Sequence, residues 1–128
     1  MDYIYQDKYV YFKKEGNGSP IILLHGWGVD SSCFDDLMDS LKEKYQVFAI
    51  DLPGFGKSVE PSDYYVLEDY VGLVEQFVND KKLANPIILG HSFGGRIAIR
   101  YASRHQGSKL ILVDSAGMKP KNYVKVKL

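Results

Sequence analysis

Four short and mainly aliphatic runs recur along the chain, at residues 21–24, 46–50, 87–89 and 110–113. Strands that are apolar at successive positions are typical of a parallel sheet that is covered on both faces. Ahead of these runs, residues 9–14 alternate tyrosine, valine and phenylalanine before a glycine-rich turn, which predicts an antiparallel strand. The hydrophobic pattern therefore predicts five strands.

Helices are predicted in the segments between these strands. The first, capped by Ser31 or Ser32, has apolar residues at the i, i+3, i+4, i+7 spacing, namely Phe34, Leu37, Met38 and Leu41. A second apolar stripe consists of Leu67, Tyr70, Val71, Val74, Phe77 and Val78. The composition of residues 96–102 suits a third helix. Because strands and helices alternate at short spacing, right-handed crossovers predict an α/β fold, a mostly parallel, doubly wound sheet with an antiparallel amino-terminal strand.

Composition and charge argue against several classes of protein. With 128 residues the chain has room for one domain, and its 16 Lys and Arg balance its 16 Asp and Glu. A protein without a basic field is not expected to bind nucleic acid, and no aliphatic run approaches the roughly 20 residues of a membrane span. The first ten residues lack the apolar stretch of a secretion signal, and the single Cys33 fits a reducing compartment. We therefore expect a cytoplasmic protein.

The motif with the most chemical content is G-x-S-x-G at residues 90–94, which reads GHSFG. It follows an aliphatic strand and leads into a predicted helix, the context in which this motif lifts a serine above the sheet on a sharp turn. Gly90 and Gly94 are expected because such a turn leaves no room for side chains. Unpaired N–H groups at the start of the helix favour negative charge that develops beside them. The motif therefore predicts Ser92 as a nucleophile.

Two further glycine-rich segments precede this motif, HGWG at residues 25–28 and DLPGFGKS at residues 51–58. Together with GHSFGG at residues 90–95, they make the chain resemble the α/β-hydrolase superfamily, in particular its capped serine hydrolase and esterase-like group. The resemblance covers only the amino-terminal half of such a fold. It implies that residues 1–117 are the first part of an α/β-hydrolase core domain and that residues 118–128 are a basic tail or the start of a missing cap.

The resemblance also implies roles for three residues. Ser92 matches the catalytic nucleophile, the backbone N–H groups of Trp27 and Phe93 match the oxyanion hole, and the Trp27 ring is expected to line the acyl pocket. These roles imply that a small-molecule ester or related carbonyl compound is hydrolysed through an acyl-serine intermediate. No metal or organic cofactor is implied, because no His and Cys cluster has ligand spacing and residues 51–58 fit neither nucleotide-binding motif.

The histidine that this family places last in its catalytic triad is missing from the chain. The family order is serine, acid, histidine, whereas the last of the three histidines stands at position 105. His25 is expected to brace the oxyanion loop, His91 to serve in packing, and His105 to lie near the end of the helix after Ser92. Asp114, which follows the last aliphatic run, is either the acid or a side chain that caps the next turn.

Two functions stay open on this basis. In the first, the chain is the amino-terminal half of a serine hydrolase, and a second half or a second chain completes the sheet along an exposed edge strand at residues 110–113. In the second, the chain is a non-catalytic binding module, or an inactive fragment, that keeps the scaffold. A Ser92→Ala variant separates these alternatives, because only the enzyme has hydrolytic activity to lose.

Overall fold

The computed structural model of the chain describes residues 1–114 and 123–127. Its strands are β1 (Asp2–Tyr5), β2 (Lys8–Glu15), β3 (Ser19–Leu24), β4 (Tyr45–Ile50), β5 (Ile87–His91), β6 (Lys109–Asp114) and β7 (Tyr123–Lys127). They form one sheet in the order β1-β2-β4-β3-β5-β6-β7. Strands β4, β3, β5 and β6 run parallel, whereas β1, β2 and β7 pair antiparallel with their neighbours. The predicted α/β fold class and its antiparallel start are thus confirmed.

The first strand, β1, is an addition that the hydrophobic pattern did not predict. It pairs with β2, and its Tyr3 and Tyr5 are buried while Asp2 and Ile4 are exposed. This alternation extends over only four residues, which is too short to distinguish from chance in the sequence. The strand widens the sheet without changing its parallel centre.

The edge of the sheet lies one strand further out than predicted. β6 pairs with β7, from Leu110 opposite Lys127 to Asp114 opposite Tyr123. The prediction that residues 110–113 form an exposed edge strand is therefore wrong. Residues 123–127 read YVKVK, in which valine and lysine alternate. A period of two is typical of a strand and has no helical periodicity. The rest of the predicted tail, residues 118–122 and 128, lies outside the described residues.

Helices connect the parallel strands within the described ranges. They are α1 (Asp35–Leu41), α2 (Leu67–Asp80) and α3 (Phe93–Arg104), and a 3₁₀ turn at Ser31–Phe34 precedes α1. In this part of the chain no helix is long and apolar enough to cross a membrane. All three predicted helices are present.

The predicted cap at Ser31 or Ser32 is wrong, because Asp30 caps the 3₁₀ turn and α1 itself has no side-chain cap. The Asp30 side chain, rather than that of Ser31 or Ser32, accepts the N–H of Ser32 at 2.8 Å. Ser31 is buried instead, and its N–H donates to Asp51 at 2.8 Å. A carboxylate is the stronger acceptor for an N–H group at a helix start, which explains why Asp30 takes the capping position.

Two apolar layers cover the two faces of the sheet. The larger layer lies under α2 and α3, where Phe77 contacts Phe12 and Phe48 edge to face at centroid distances of 5.1 and 5.5 Å. The smaller lies under α1, where Phe34 and Met38 belong to one cluster with strand residues. Strand β3 contributes alternate residues to both layers, which is why its apolar run is uninterrupted. The sheet is thereby held rigid beneath the loops at its carboxyl edge.

Candidate active site

Ser92 lies on a sharp turn between β5 and α3, at the carboxyl end of the parallel strands. Its backbone has φ 56° and ψ −117°, a conformation that costs an L-residue on the order of 1–3 kcal/mol. Its N–H donates to the carbonyl of Val113 at 3.2 Å, and its carbonyl accepts the N–H of Gly95 at 2.9 Å. These two hydrogen bonds anchor the turn to β6 and to α3, while Ser92 itself is exposed.

Gly90 and Gly94 permit this turn because the backbone passes too close for a side chain at either position. A Cβ on Gly94 would lie 2.6 Å from the carbonyl carbon of Leu24 and 2.7 Å from the carbonyl oxygen of His25. A Cβ on Gly90 would lie 2.6 Å from the Cα of Gly95. The steric reason predicted for the two motif glycines is thus confirmed.

The HGWG loop lies directly beside this turn. An ideal Cβ on Gly26 would lie 3.1 Å from the Cβ of Ser92. The rings of Trp27 and Phe93 meet edge to face with their centroids 5.1 Å apart. The N–H groups of these two residues donate to no other group in the described part of the chain. The structure therefore brings the predicted site residues Ser92, Trp27 and Phe93 together at one place.

His25 is fully buried and links the HGWG loop to the loop after β4. Its Nε2 accepts the N–H of Leu52 at 2.9 Å, so Nδ1 carries the proton and donates to the carbonyl of Gly26 at 2.7 Å. Burial lowers the pKa of His25 below its ordinary value of 6.5, which keeps the imidazole neutral. His25 thus braces the loop, as the resemblance implies, and neither nitrogen is free to act as a base.

Asp51 is a buried carboxylate that organises the glycine-rich loop after β4. Its Oδ1 accepts the N–H of Ser31 at 2.8 Å and its Oδ2 accepts the N–H of Lys57 at 2.9 Å. Its carbonyl accepts the hydroxyl of Ser58 at 2.5 Å. Residues 51–58 fit neither nucleotide-binding motif, and the role of Asp51 as their organiser was not predicted. The available signal was a carboxylate placed between an aliphatic strand and a glycine-rich loop.

A cleft of about 350 Å³ opens beside the turn, and we call it the aromatic cleft. It is lined by Trp27, Phe55, Tyr64, Tyr65 and Tyr70, together with Pro53, Gly54, Glu60, Pro61 and Asp63. Trp27 is 64% exposed, so most of its ring is accessible to a ligand. Tyr70 also contacts Phe93 edge to face at 5.3 Å, which joins the cleft wall to the residue after Ser92. Trp27 was expected to line a pocket, whereas the tyrosines come from distant segments and were not predicted to join it.

The other two histidines have neighbours other than the Ser92 hydroxyl. His91 is its neighbour, but its buried Nδ1 faces the HGWG loop, 3.2 Å from an ideal Cβ on Gly26. His105 follows α3, and its Nε2 bonds with a carboxylate oxygen of Glu75 at 2.8 Å. Since α3 has 12 residues, its two ends are about 18 Å apart. No hydrogen bond in the described part of the structure joins any of these three histidines to the Ser92 hydroxyl.

Asp114, a predicted candidate for the acid, ends β6. Its side chain lies outside the described part of the structure, so its role stays a prediction. In the described ranges no three His, Cys, Asp or Glu side chains gather as metal ligands would. The groups that the described residues do bring together are a serine hydroxyl, two backbone donors and an aromatic wall.

Comparison with known proteins places this geometry in a family. The sequence model of the alpha/beta hydrolase fold matches residues 19–123. The AB hydrolase superfamily protein YisY of Bacillus subtilis is 39% identical over 105 residues, which are 79% of this chain and 39% of that protein. A pimeloyl-(acyl-carrier protein) methyl ester esterase of Vibrio cholerae is 31% identical over 109 residues, which are 84% of this chain and 41% of that protein.

A solved structure gives the same result. The esterase from Exiguobacterium antarcticum superimposes with a TM-score of 0.78 at 32% identity, over 85% of this chain and 42% of that one. The chain thus spans about two fifths of the length of each of these three proteins. The matched region contains the parallel strands, the HGWG loop and the turn that carries Ser92. By sequence and by fold, the chain belongs to the alpha/beta hydrolase family.

Proposed function

We propose that Ser92 is the nucleophile of a serine hydrolase that acts on an ester or a related carbonyl compound. The observation that carries the proposal is the strained, exposed position of Ser92 between β5 and α3, against the HGWG loop. Backbone strain of this kind costs stability and persists where a function requires it. The Ser92 hydroxyl oxygen attacks the carbonyl carbon, and a base takes the hydroxyl proton and delivers it to the leaving alcohol. Water then hydrolyses the acyl-serine ester, which releases the carboxylic acid and restores the Ser92 hydroxyl.

Two backbone donors stabilise the transition state in this proposal. The N–H groups of Trp27 and Phe93 donate to the oxyanion that forms when Ser92 attacks. By analogy with donor deletions in other serine hydrolases, each such donor lowers the barrier by about 3–4 kcal/mol. The amino-terminal end of α3 adds a favourable dipole at the same point. Relatives that are named as esterases support an ester as the substrate.

The general base is proposed to come from outside these 128 residues. His25 uses both nitrogens to brace two loops, His91 faces Gly26, and His105 is held by Glu75 at the far end of α3. Without its base a serine is a weak nucleophile, and removal of triad members elsewhere lowers kcat on the order of 10⁶-fold. Efficient turnover is therefore expected only when a histidine-bearing second half, in the same polypeptide or in a second chain, joins the fold.

We also propose a cytoplasmic location, which the single cysteine supports.

Covalent labelling tests the role of Ser92. The chain is treated with a fluorophosphonate, and the intact mass and the labelled peptide are read by mass spectrometry. We expect slow labelling at Ser92, none in Ser92→Ala, and unchanged labelling in Ser103→Ala, a serine on the outer side of α3. Labelling of Ser92→Ala at the same rate as the unaltered chain would overturn the proposal, and so would an unlabelled chain after prolonged exposure.

A non-catalytic binding module is the second candidate function. The observation that favours it is that none of the three histidines is hydrogen-bonded to the Ser92 hydroxyl in the described structure, although an open cleft lies nearby. A binding module would keep its ligand affinity in Ser92→Ala and would have no hydrolysis to lose. Loss of hydrolysis in that variant, measured on the protein with its second half present, supports the enzyme.

A further inference from the structure

The aromatic cleft has a lining whose charges all have one sign. Its charged side chains are the carboxylates of Glu60 and Asp63, and no Lys or Arg belongs to the lining. Among the basic residues near this end of the fold, Arg96 lies over the Phe93 ring at 6.0 Å and Lys57 lies over the Tyr11 ring at 4.6 Å. Neither basic residue lines the cleft, so the formal charges on its lining are those of the two carboxylates.

Aromatic faces and carboxylates attract the same kind of ligand group. The face of an aromatic ring carries partial negative charge and attracts a cation within about 6 Å, most strongly when the ring is tryptophan. Five aromatic residues line the cleft of about 350 Å³, and of these Trp27 and Tyr64 are largely exposed whereas Tyr70 is buried. An uncharged hydrocarbon group would gain from the rings but make no use of the carboxylates, and an anionic group would be repelled by both.

We propose that the aromatic cleft binds an alkylammonium group, so that the substrate of this hydrolase carries a positively charged nitrogen next to its ester. The link to a substrate rests on the proposed function of Ser92. The cleft lies next to Ser92 because two of its residues, Trp27 and Tyr70, contact Phe93 edge to face. The binding itself does not depend on Ser92. Its failure can therefore be distinguished from failure of the hydrolase proposal.

Trp27 makes the test direct, because it is the single tryptophan of the chain and lines the cleft. Tryptophan fluorescence of the 128-residue chain is titrated with choline, with its uncharged isostere 3,3-dimethylbutanol, and with the anionic 3,3-dimethylbutanoate. The Trp27 indole N–H resonance is followed by NMR in parallel. We expect choline to bind at least about fivefold more tightly than the uncharged isostere, and the anion to bind most weakly.

A matched pair of double variants isolates the charge. Glu60→Gln with Asp63→Asn removes the two carboxylates of the cleft, and Asp36→Asn with Glu43→Gln removes two exposed carboxylates elsewhere, for the same change in net charge. The preference for choline should fall in the first variant and stay in the second. Ser92→Ala should bind choline like the unaltered chain.

Three results would overturn the proposal. They are equal or tighter binding of the uncharged isostere, an equal effect of the two double variants, and no response of Trp27 in either measurement at millimolar choline. Labelling of Ser92 by a fluorophosphonate without a choline preference would overturn the cleft proposal alone. A choline preference without any labelling would instead overturn the hydrolase and leave a cation-binding module.

Discussion

At the scale of single residues, Gly94 controls how closely α3 approaches the sheet. A Cβ at this position would lie 2.6 Å from the carbonyl carbon of Leu24, which cannot move without displacing β3. At the next position, Gly95, the nearest atom to an added Cβ is 3.4 Å away, which is ordinary contact. A side chain is therefore excluded at Gly94 but can be accommodated at the adjacent Gly95.

This difference predicts two contrasting stabilities. Gly94→Ala should lower the free energy of unfolding by about 3 kcal/mol or more, because the backbone around Leu24 must shift. Gly95→Ala should change it by less than about 1 kcal/mol, since alanine is the better helix former and has room. Urea unfolding followed by circular dichroism measures both variants, and equal losses would contradict the close approach at Gly94.

The buried imidazole of His25 predicts a pH dependence. Burial lowers its pKa in the folded state below the ordinary 6.5 of the unfolded chain, so below that pH the unfolded state binds more protons. The free energy of unfolding should therefore fall as the pH drops through about 6.5, by up to about 1.4 kcal/mol per pH unit, until the folded-state pKa is reached. An NMR titration of His25 checks the cause directly. A midpoint at or above 6.5 would contradict it.

At the scale of elements, the loop after β4 and the HGWG loop are held as one unit. His25 connects them through its hydrogen bonds with Leu52 and Gly26. Asp51 accepts the N–H of Ser31, which precedes α1, and the N–H of Lys57 within the loop after β4. Binding and catalytic residues often lie on loops that a rigid scaffold positions. In this structure the buried side chains of His25 and Asp51 hold the two loops in place through hydrogen bonds. The position of the Trp27 N–H beside Ser92 therefore depends on the buried His25.

An Asp51→Asn substitution tests this coupling. Asparagine keeps the shape but has one acceptor oxygen, so its NH₂ would face the N–H of either Ser31 or Lys57. We expect a loss of about 1–3 kcal/mol in unfolding free energy and faster amide exchange at those two N–H groups. Glu43→Gln, an exposed carboxylate, is the control and should change stability by less than about 0.5 kcal/mol. Equal behaviour of the two variants would show that Asp51 is not an organiser.

At the scale of the whole molecule, the central sheet was predictable and its margins were not. The runs at residues 21–24 and 87–89 are apolar at every position because helices cover both faces of the sheet. Such runs are typical of parallel strands, so they predicted the parallel centre of the sheet. β1 and β7 consist of four and five residues with a period of two, a pattern too short to identify them reliably. The prediction therefore placed the sheet edge at β6.

The site was predictable where chemistry requires consecutive residues. The GHSFG turn and the HGWG loop are local motifs, and the sequence alone predicts Ser92, Phe93 and Trp27 as site residues, which the structure places next to one another. The aromatic cleft could not be found in this way, because Tyr64 and Tyr70 reach Trp27 only through the fold. Asp51 was missed for the same reason, since one of its partners, the N–H of Ser31, lies 20 residues earlier in the chain.

The rate of fluorophosphonate labelling, compared among four forms of the chain, tests the central claim most directly. The claim is that Ser92 is the nucleophile and that its base is not a histidine of this chain. The account predicts no labelling in Ser92→Ala, and rates within about threefold of the unaltered chain in His91→Gln and His105→Gln. Persistent labelling of Ser92→Ala, or a loss of about a hundredfold or more in either histidine variant, would contradict it.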